Sequence, residues 1–271
     1  MNMPTYQMMS RQGLTAAALA QIVPAAFAAA PDALRTTKHY TFISTAQVVS
    51  ALLDAGFHPT KAQQMRTRGG GSADHARHMI RFSHVRESIT LVDAVPELVL
   101  INSHDGTSSY TLRAGLYRPV CTNGLLAQIG DYGLIHVAHR GNIVANVVEG
   151  ALAITRGFEN IGSAVERMHA QALDEREQYD FAAQAISVRY HRLDHPAPIT
   201  ADKLLLPRPN ADYGNSVWTV FNRVQENLIA GGIHSINDKG RVTQTRPIRA
   251  IREDVRVNAA LWQHAMALLR P

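Results

Sequence analysis

The spacing of apolar residues changes several times along the chain, and each change predicts a different kind of element. Leu14 to Val23 carries apolar residues at helical spacing, within a helical stretch reaching residue 30 that Pro24 is expected to break. Lys38 to Ile43 is rich in aromatic and β-branched residues and predicts a short strand. Ser44 or Thr45 suits the amino-terminal cap of a helix running to Ala55, and Gly56 suits its stop. Gln63 to Arg68 alternates polar and basic residues and predicts another strand, followed by the loop Gly69-Gly70-Gly71-Ser72.

The middle of the chain is strand-rich. His78 to Val85 alternates two sets of side chains, and Glu97 to Ser103 contains the run Leu-Val-Leu-Ile. Thr107 to Tyr117 follows the turn His104-Asp105-Gly106, and Asp-Gly between two strands is a strong hairpin signal. Gly133 to Val137 predicts one more strand. From Asn142 to about Tyr190 the period lengthens. Ile143, Val147, Leu152, Ile154, Phe158, Ile161, Val165 and Met168 predict one long helix or two in series, with Gly150 and Gly157 as kink sites. A Pro-rich connection follows from Pro196 to Pro209, then a helix from Ser216 to Ile229 ended by Gly231-Gly232. A basic segment poor in helix signals runs from Lys239 to Arg249, and a last helix from Val255 to Leu269. This order predicts an α+β fold, an antiparallel β-meander packed with long helices and a helical C-terminal part. The 271 residues read as a single domain, with a core at about 36–190 and a helical extension at about 210–271.

Composition narrows the chemistry. Lys and Arg number 27 against 22 Asp and Glu, a net +5 that suits a phosphate-binding face without demanding one. The single cysteine, Cys121, excludes an internal disulfide and a Cys-rich zinc site and fits a cytoplasmic location. Leu14 to Ala30 has the apolar character of a signal peptide. Pro24, Gln21 and the single preceding Arg11 depart from that pattern, so an amphipathic helix is expected instead. No run approaches the ~20 apolar residues of a membrane span. There is no Walker-type phosphate loop, dinucleotide glycine fingerprint, zinc-finger spacing or two-metal acidic cluster, so neither cofactor nor metal is expected.

Basic residues supply the leading candidates. Between Lys61 and Arg86 stand Lys61, Arg66, Arg68, Arg77, Arg81 and Arg86 against Asp74 alone, with His75, His78 and His84 interleaved. On a strand, residues 66 and 68 share a face, and so do 77 and 81. Arg113, Arg118 and Arg140 extend the set. Arg140 also precedes the long helix, whose amino end favours anions. Lys61, Arg66, Arg68, Arg77, Arg81, Arg113, Arg118 and Arg140 are thus the expected nucleic-acid-binding residues, against the plainer reading of a solvated charged face. A second basic tract, Lys239, Arg241, Arg246, Arg249, Arg252 and Arg256, reads as an arm that clamps nucleic acid or docks on a neighbouring subunit.

Other candidates have competing structural explanations. His104 and Asp105 suggest general-base chemistry, but a turn calls for the same residues. Cys121 is a nucleophile only if a cation or base stabilises its thiolate, and a lone cysteine is more commonly a small core residue. His136 and His139 lie three apart, a spacing that can hold a metal from one helical face, but no third ligand stands at matching spacing. Residues 222–227 read as a helix packing through Trp218, Phe221, Val224 and Leu228.

Four blocks carry a resemblance to a known family. They are Gln64 to Arg68; Asn102 to Ser108 with Tyr110 and Leu112; Arg118 to Leu125; and Trp218 to Asn227. The closing segment Arg249 to Trp262, with Asn258, adds to them. Together they resemble the phage/plasmid-like proteins grouped as domain of unknown function 932. The resemblance implies a mobile-element context of DNA replication, recombination or counter-defence, and no defined activity. The order of elements is also similar, as a fold-level analogy, to that of single-strand annealing proteins. The expected function is therefore DNA binding, by a homo-oligomer that binds or anneals single strands during recombination without catalysis. The alternatives are a metal-dependent nucleic-acid-processing enzyme using the His104/Asp105 turn and His136/His139, or a protein-binding counter-defence factor.

Overall fold

In the computed structural model, residues 8–9, 13–66, 73–84, 93–118, 124–127, 133–191, 197–208, 213–236 and 240–270 are described. In chain order the elements are β1 (Met8–Met9), α1 (Ala16–Ile22), α2 (Thr45–Asp54), β2 (Phe57–Gln64), β3 (His78–His84), β4 (Val95–Asn102), β5 (Tyr110–Tyr117), β6 (Gly124–Ala127), β7 (Leu134–Val137), α3 (Ile143–Arg156), α4 (Phe158–Ala170), α5 (Glu175–Tyr190), α6 (Ala201–Leu205), α7 (Val217–Ala230), β8 (His234–Ile236), β9 (Val242–Gln244) and α8 (Ile251–Ala267). The fold is α+β, with an antiparallel sheet and a helical C-terminal region. The chain forms two compact units, Met1–Leu116 with Gln128–Glu159, and Tyr117–Ala127 with Asn160–Pro271.

The first unit is built on the sheet. β1 to β4 pair in sequence as antiparallel neighbours, and β5 lies next to β4. β7 pairs antiparallel with the first half of β5, from Tyr110↔Val137 to Arg113↔Leu134. Period-two alternation sends Ile80, Phe82, Leu98, Leu100 and Leu112 into the core, each no more than 1% exposed. Each such side chain contributes roughly 1.5–3 kcal/mol by leaving water. α2 and α3 cover this face with Val48, Leu52, Val147 and Ile154. Gly150 marks the closest approach of α3 to the sheet. A Cβ there would stand 2.8 Å from Leu112 Cδ1 and 3.3 Å from Ile135 Cγ2.

The second unit is helical. α5, α6, α7 and α8 pack on one another, and β6 packs on α8. Its centre is aromatic, with Phe221 lying 5.9 Å from Trp218, 6.0 Å from Trp262 and 6.5 Å from Phe181, ring centroid to ring centroid. Caps start the helices cleanly. Ser216 Oγ accepts from Thr219 N at α7, and Asp174 and Glu177 form a reciprocal capping box at α5.

Several expectations are met with shifted boundaries. Ser44 caps α2 as expected. The expected strand at 38–43 does not form. Thr41 N donates to the His139 carbonyl, and Tyr40 stacks on the His139 ring at 4.4 Å, so tertiary partners replace a ladder. The strand expected at 63–68 is β2 at 57–64. It carries Pro59 beside a register shift, where a missing N–H is tolerated. The long helical stretch separates into α3, α4 and α5. A short helix, α6, occupies the Pro-rich connection.

Gly231 closes α7 at φ +63°, and a Cβ there would lie 2.7 Å from Arg246 C and Thr245 O and 2.8 Å from Pro247 N. Gly232 has φ +78° and nothing within 4 Å of its Cβ position. Gly232→Ala is therefore expected to cost about 1 kcal/mol of left-handed strain. Gly231→Ala must also move backbone and should cost about 3 kcal/mol or more. Both tryptophans lie in this unit, so urea unfolding followed by their fluorescence measures the difference, and equal midpoints for the two variants would contradict it.

Candidate nucleic-acid interface

The structure scatters the basic residues singled out in the sequence. Arg81 is 2% exposed and its Nη1 donates to Glu97 Oε2 at 3.2 Å. Thr60 Oγ1 donates to the other Glu97 oxygen at 3.0 Å, so both carboxylate oxygens are used. Lys61 is 5% exposed. In the second unit Arg118 is 2% exposed, with its guanidinium 5.6 Å from the Trp218 ring centroid. Buried cations do not present charge to a phosphate, so Lys61, Arg81 and Arg118 are corrected from surface contacts to interior residues. For Arg81 and Arg118 the run of cations does not reveal the carboxylate or the indole that another part of the chain supplies. Arg77 is half-buried and its Nη2 donates to the Thr107 carbonyl at 3.0 Å. Arg113 is also half-buried, and burial lowers its pKa. Arg66 lies just past the end of β2 and is exposed, as is Arg140 before α3. Arg68, Arg86 and Cys121 lie outside the described residues.

His104 and Asp105 diverge. Asp105 Oδ1 accepts from Ser103 Oγ at 2.7 Å, Thr107 N at 3.0 Å and Thr107 Oγ1 at 2.7 Å. Burial opposes ionisation of this carboxyl, but the Thr107 and Ser103 hydrogen bonds outweigh it and hold the pKa below the usual value. With Gly106 at φ +75°, this is turn chemistry. His104 instead points inward to Thr45 at the start of α2.

Thr45 Oγ1 lies 2.9 Å from His78 Nε2, 3.1 Å from His104 Nε2 and 3.2 Å from Asn102 Nδ2. His78 Nδ1 faces the Ala76 carbonyl at 2.9 Å, so it carries the proton and Nε2 accepts the Thr45 hydroxyl hydrogen. The Thr45 oxygen then accepts from Asn102 Nδ2 and from His104 Nε2–H. His139 Nε2 faces only acceptors, Asn102 Oδ1 at 3.0 Å and Ser108 O at 3.2 Å, and so donates. Thr45, His78, Asn102 and His104 are completely buried. His136 is exposed and contacts Thr111 Oγ1 at 3.2 Å, so it shares no partner with His139. Among the described residues no group of three or more His, Cys, Asp or Glu side chains is arranged to hold a metal ion. None of their helices is long and apolar enough to cross a membrane.

Exposed positive charge lies elsewhere. In the second unit β8 and β9 form a two-stranded arm whose root is clamped by Gly232 N→Thr245 O at 2.7 Å and Thr245 N→Ile233 O at 2.9 Å. Residues 240–244 are all exposed, and Val242 is 74% exposed. Beyond the root, Arg246, Arg249 and Arg252 are exposed, and none has a carboxylate partner among the described residues. Glu253 is engaged by Arg256 at 2.7 Å and by Arg189 at 4.0 Å. In the first unit β7 and α3 border a groove of about 450 Å³ lined by Ile135, His136, Arg140, Asn146, Glu149 and Arg156, among others. The basic stretch of the arm was legible in the sequence. Arg156 was missed because, inside a helical pattern, it gave no signal beyond its charge.

An α+β chain with its accessible arginines on an arm and beside a helix is the class of protein these features define. The chain belongs to the family described as Domain of unknown function (DUF932), which matches residues 35–262. It is 39% identical over 256 residues to the UPF0380 protein YafZ of Escherichia coli K12, covering 94% of this chain and 92% of that protein. It is 38% identical over 256 residues to the UPF0380 protein YfjQ of the same organism, with the same coverage. No solved structure matches.

Burial holds the imidazole pKa of His78 down to about 4. Burial, then the neighbouring His78, His139 and His75, holds that of His104 down to about 3. Both values lie below the ~6.5 of a free imidazole, so in acid the unfolded chain binds more protons than the folded one. Stability should be complete above about pH 6.5 and fall as pH drops toward 4, by about 2 kcal/mol for each of the two at pH 5. Thr45→Val removes the shared hydroxyl and leaves buried polar groups unsatisfied, so it should cost about 3 kcal/mol, and Thr45→Ser under about 1 kcal/mol. Thermal melts of the three proteins by circular dichroism at pH 5 and 7.5 read both effects. Equal melting points for wild type and Thr45→Val would contradict the network.

Proposed function

We propose that this chain binds nucleic acid through its phosphate backbone, favours single-stranded DNA, and acts as a cytoplasmic homo-oligomer on mobile genetic elements, binding or annealing strands during recombination. The observation that carries the reading is the trio Arg246, Arg249 and Arg252, exposed beside the β8–β9 arm without carboxylate partners among the described residues. An unpaired guanidinium in water gains by meeting a phosphate, because each contact releases condensed counterions. Arg66 and Arg140 add exposed charge in the first unit. Contacts confined to the backbone leave bases free to pair, which is what annealing needs. Several subunits along one strand would multiply weak contacts.

Fluorescence anisotropy with a labelled single-stranded oligonucleotide across a salt series, with light scattering for mass, tests this. Wild type should show a steep salt dependence and a mass above the 29.7 kDa of one chain. Substituting Arg246, Arg249 and Arg252 together by Gln should lower the slope of log K against log salt by about 2, at ~0.7 per single-strand phosphate contact. An unchanged slope in the triple variant, or none in wild type, would overturn the proposal.

A further inference from the structure

The groove between β7 and α3 carries charges in an order that says more than basicity. Arg140 stands before the amino end of α3 and Arg156 is its last residue. Asn146, Glu149, Gly150, Ala153 and Arg156 follow one another at helical spacing along the side of α3 that lines the groove. From Asn146 to Arg156 the helix rises about 15 Å. The floor is apolar, contributed by Ile135, Val137, Gly150 and Ala153. Its shape follows from Gly150, which lets α3 settle onto Leu112 and Ile135. Arg140, Glu149 and Arg156 are exposed, and none has a charged partner among the described residues. A guanidinium at each end, an apolar floor and one carboxylate between them make a specific pattern.

We propose that this groove seats a short segment of single-stranded nucleic acid, with Arg140 and Arg156 on phosphates at its two ends and one unstacked base on the floor. Glu149 selects the base. An ionised carboxylate accepts hydrogen bonds and cannot donate them, so it accepts from the exocyclic amine of cytosine, adenine or guanine and is repelled by the carbonyls of thymine, which has no such amine. Duplex DNA keeps its bases stacked inside and cannot fill the floor. The assignment rests on the nucleic-acid reading above and adds to it a subsite, a strand form and a base preference. Two guanidinia against one carboxylate favour an anionic polymer over a basic or apolar protein segment as the occupant.

The test compares binding of dC12, dT12 and a duplex of the same length, with dCMP as competitor, to wild type, Glu149→Gln and Arg140→Gln/Arg156→Gln. All substituted positions are exposed, and circular dichroism confirms folding. Wild type should prefer dC12 over dT12 by about fivefold, as expected of a partial base contact. Glu149→Gln should bring that ratio near one, because an amide offers both a donor and an acceptor. The double variant should lower the salt slope by about 1.4, for two single-strand contacts. Unchanged dC12 affinity and slope in the double variant would overturn the groove while leaving arm-mediated binding intact. So would a wild-type preference for dT12 or duplex, or displacement by dCMP as effective as by dC12. Failure of wild type to bind any oligonucleotide would overturn the broader reading with it.

Discussion

One hydroxyl group organises the first unit. Thr45, the first residue of α2, offers one hydrogen and two lone pairs and spends all three inside the protein. Its partners come from β3 (His78), from the end of β4 (Asn102) and from the turn that follows (His104). Tyr110 on β5 lies 3.5 Å away and donates to the Ile43 carbonyl at 2.8 Å, just before the helix. Apolar contact is non-directional, so by itself it sets the register of a helix on a sheet less strictly than directional bonds do. Directional bonds to three separate segments remove that freedom, and burial makes each of them expensive to break. The register of α2 on the sheet, and with it the position of the turn at residues 104–106, depends on this network.

The same logic explains the fate of the arginines. Arg81 sits in the middle of a strand paired on both sides, so its side chain must enter a layer of the fold, and Glu97 on the neighbouring strand receives it. Leaving either charge alone in that layer would cost several kcal/mol, while the pair together costs far less. Cations on central strands thus become structure. Cations on an arm, at a helix end or past the last residue of a strand keep their water and stay available to a ligand. Position within the architecture, not density along the chain, decides which arginines can serve a polyanion.

That distinction sets what could be read from the sequence. The α+β class, the cap at Ser44, the turn at Asp105-Gly106 and the helix closed by Gly231 were legible, because each is fixed by local stereochemistry. The missing strand at 38–43 was not. Tyr40 and Phe42 are good strand residues, but their rings meet His139 and His104, partners that lie far away in sequence. Among the candidate residues, the exposure of Arg140 was legible through its place before α3. Lys61, Arg81 and Arg118 were not, since burial is a property of the fold and no local pattern announces it. The β7–α3 groove needed both a close approach at Gly150 and two arginines 16 positions apart, and nothing in their spacing connects them.

The family resemblance and the surface chemistry overlap only in part. The block from Asn102 to Ser108 is the Thr45 network and its turn, and the block from Trp218 to Asn227 is the buried aromatic and amide face of α7. Within α7, Gln225 donates to Asn258 at 2.8 Å, and Asn258 in turn donates to Asp254, so even the polar members of that block are used internally. Sharing such blocks means sharing an interior. Arg140, Glu149, Arg156 and Arg246 lie outside the shared blocks, whereas Arg66 stands in the block Gln64 to Arg68 and Arg249 and Arg252 stand in the segment Arg249 to Trp262. The shared blocks therefore carry the interior of both units together with part of the exposed charge, and Arg140, Arg156 and Arg246 add charge at positions the blocks do not include.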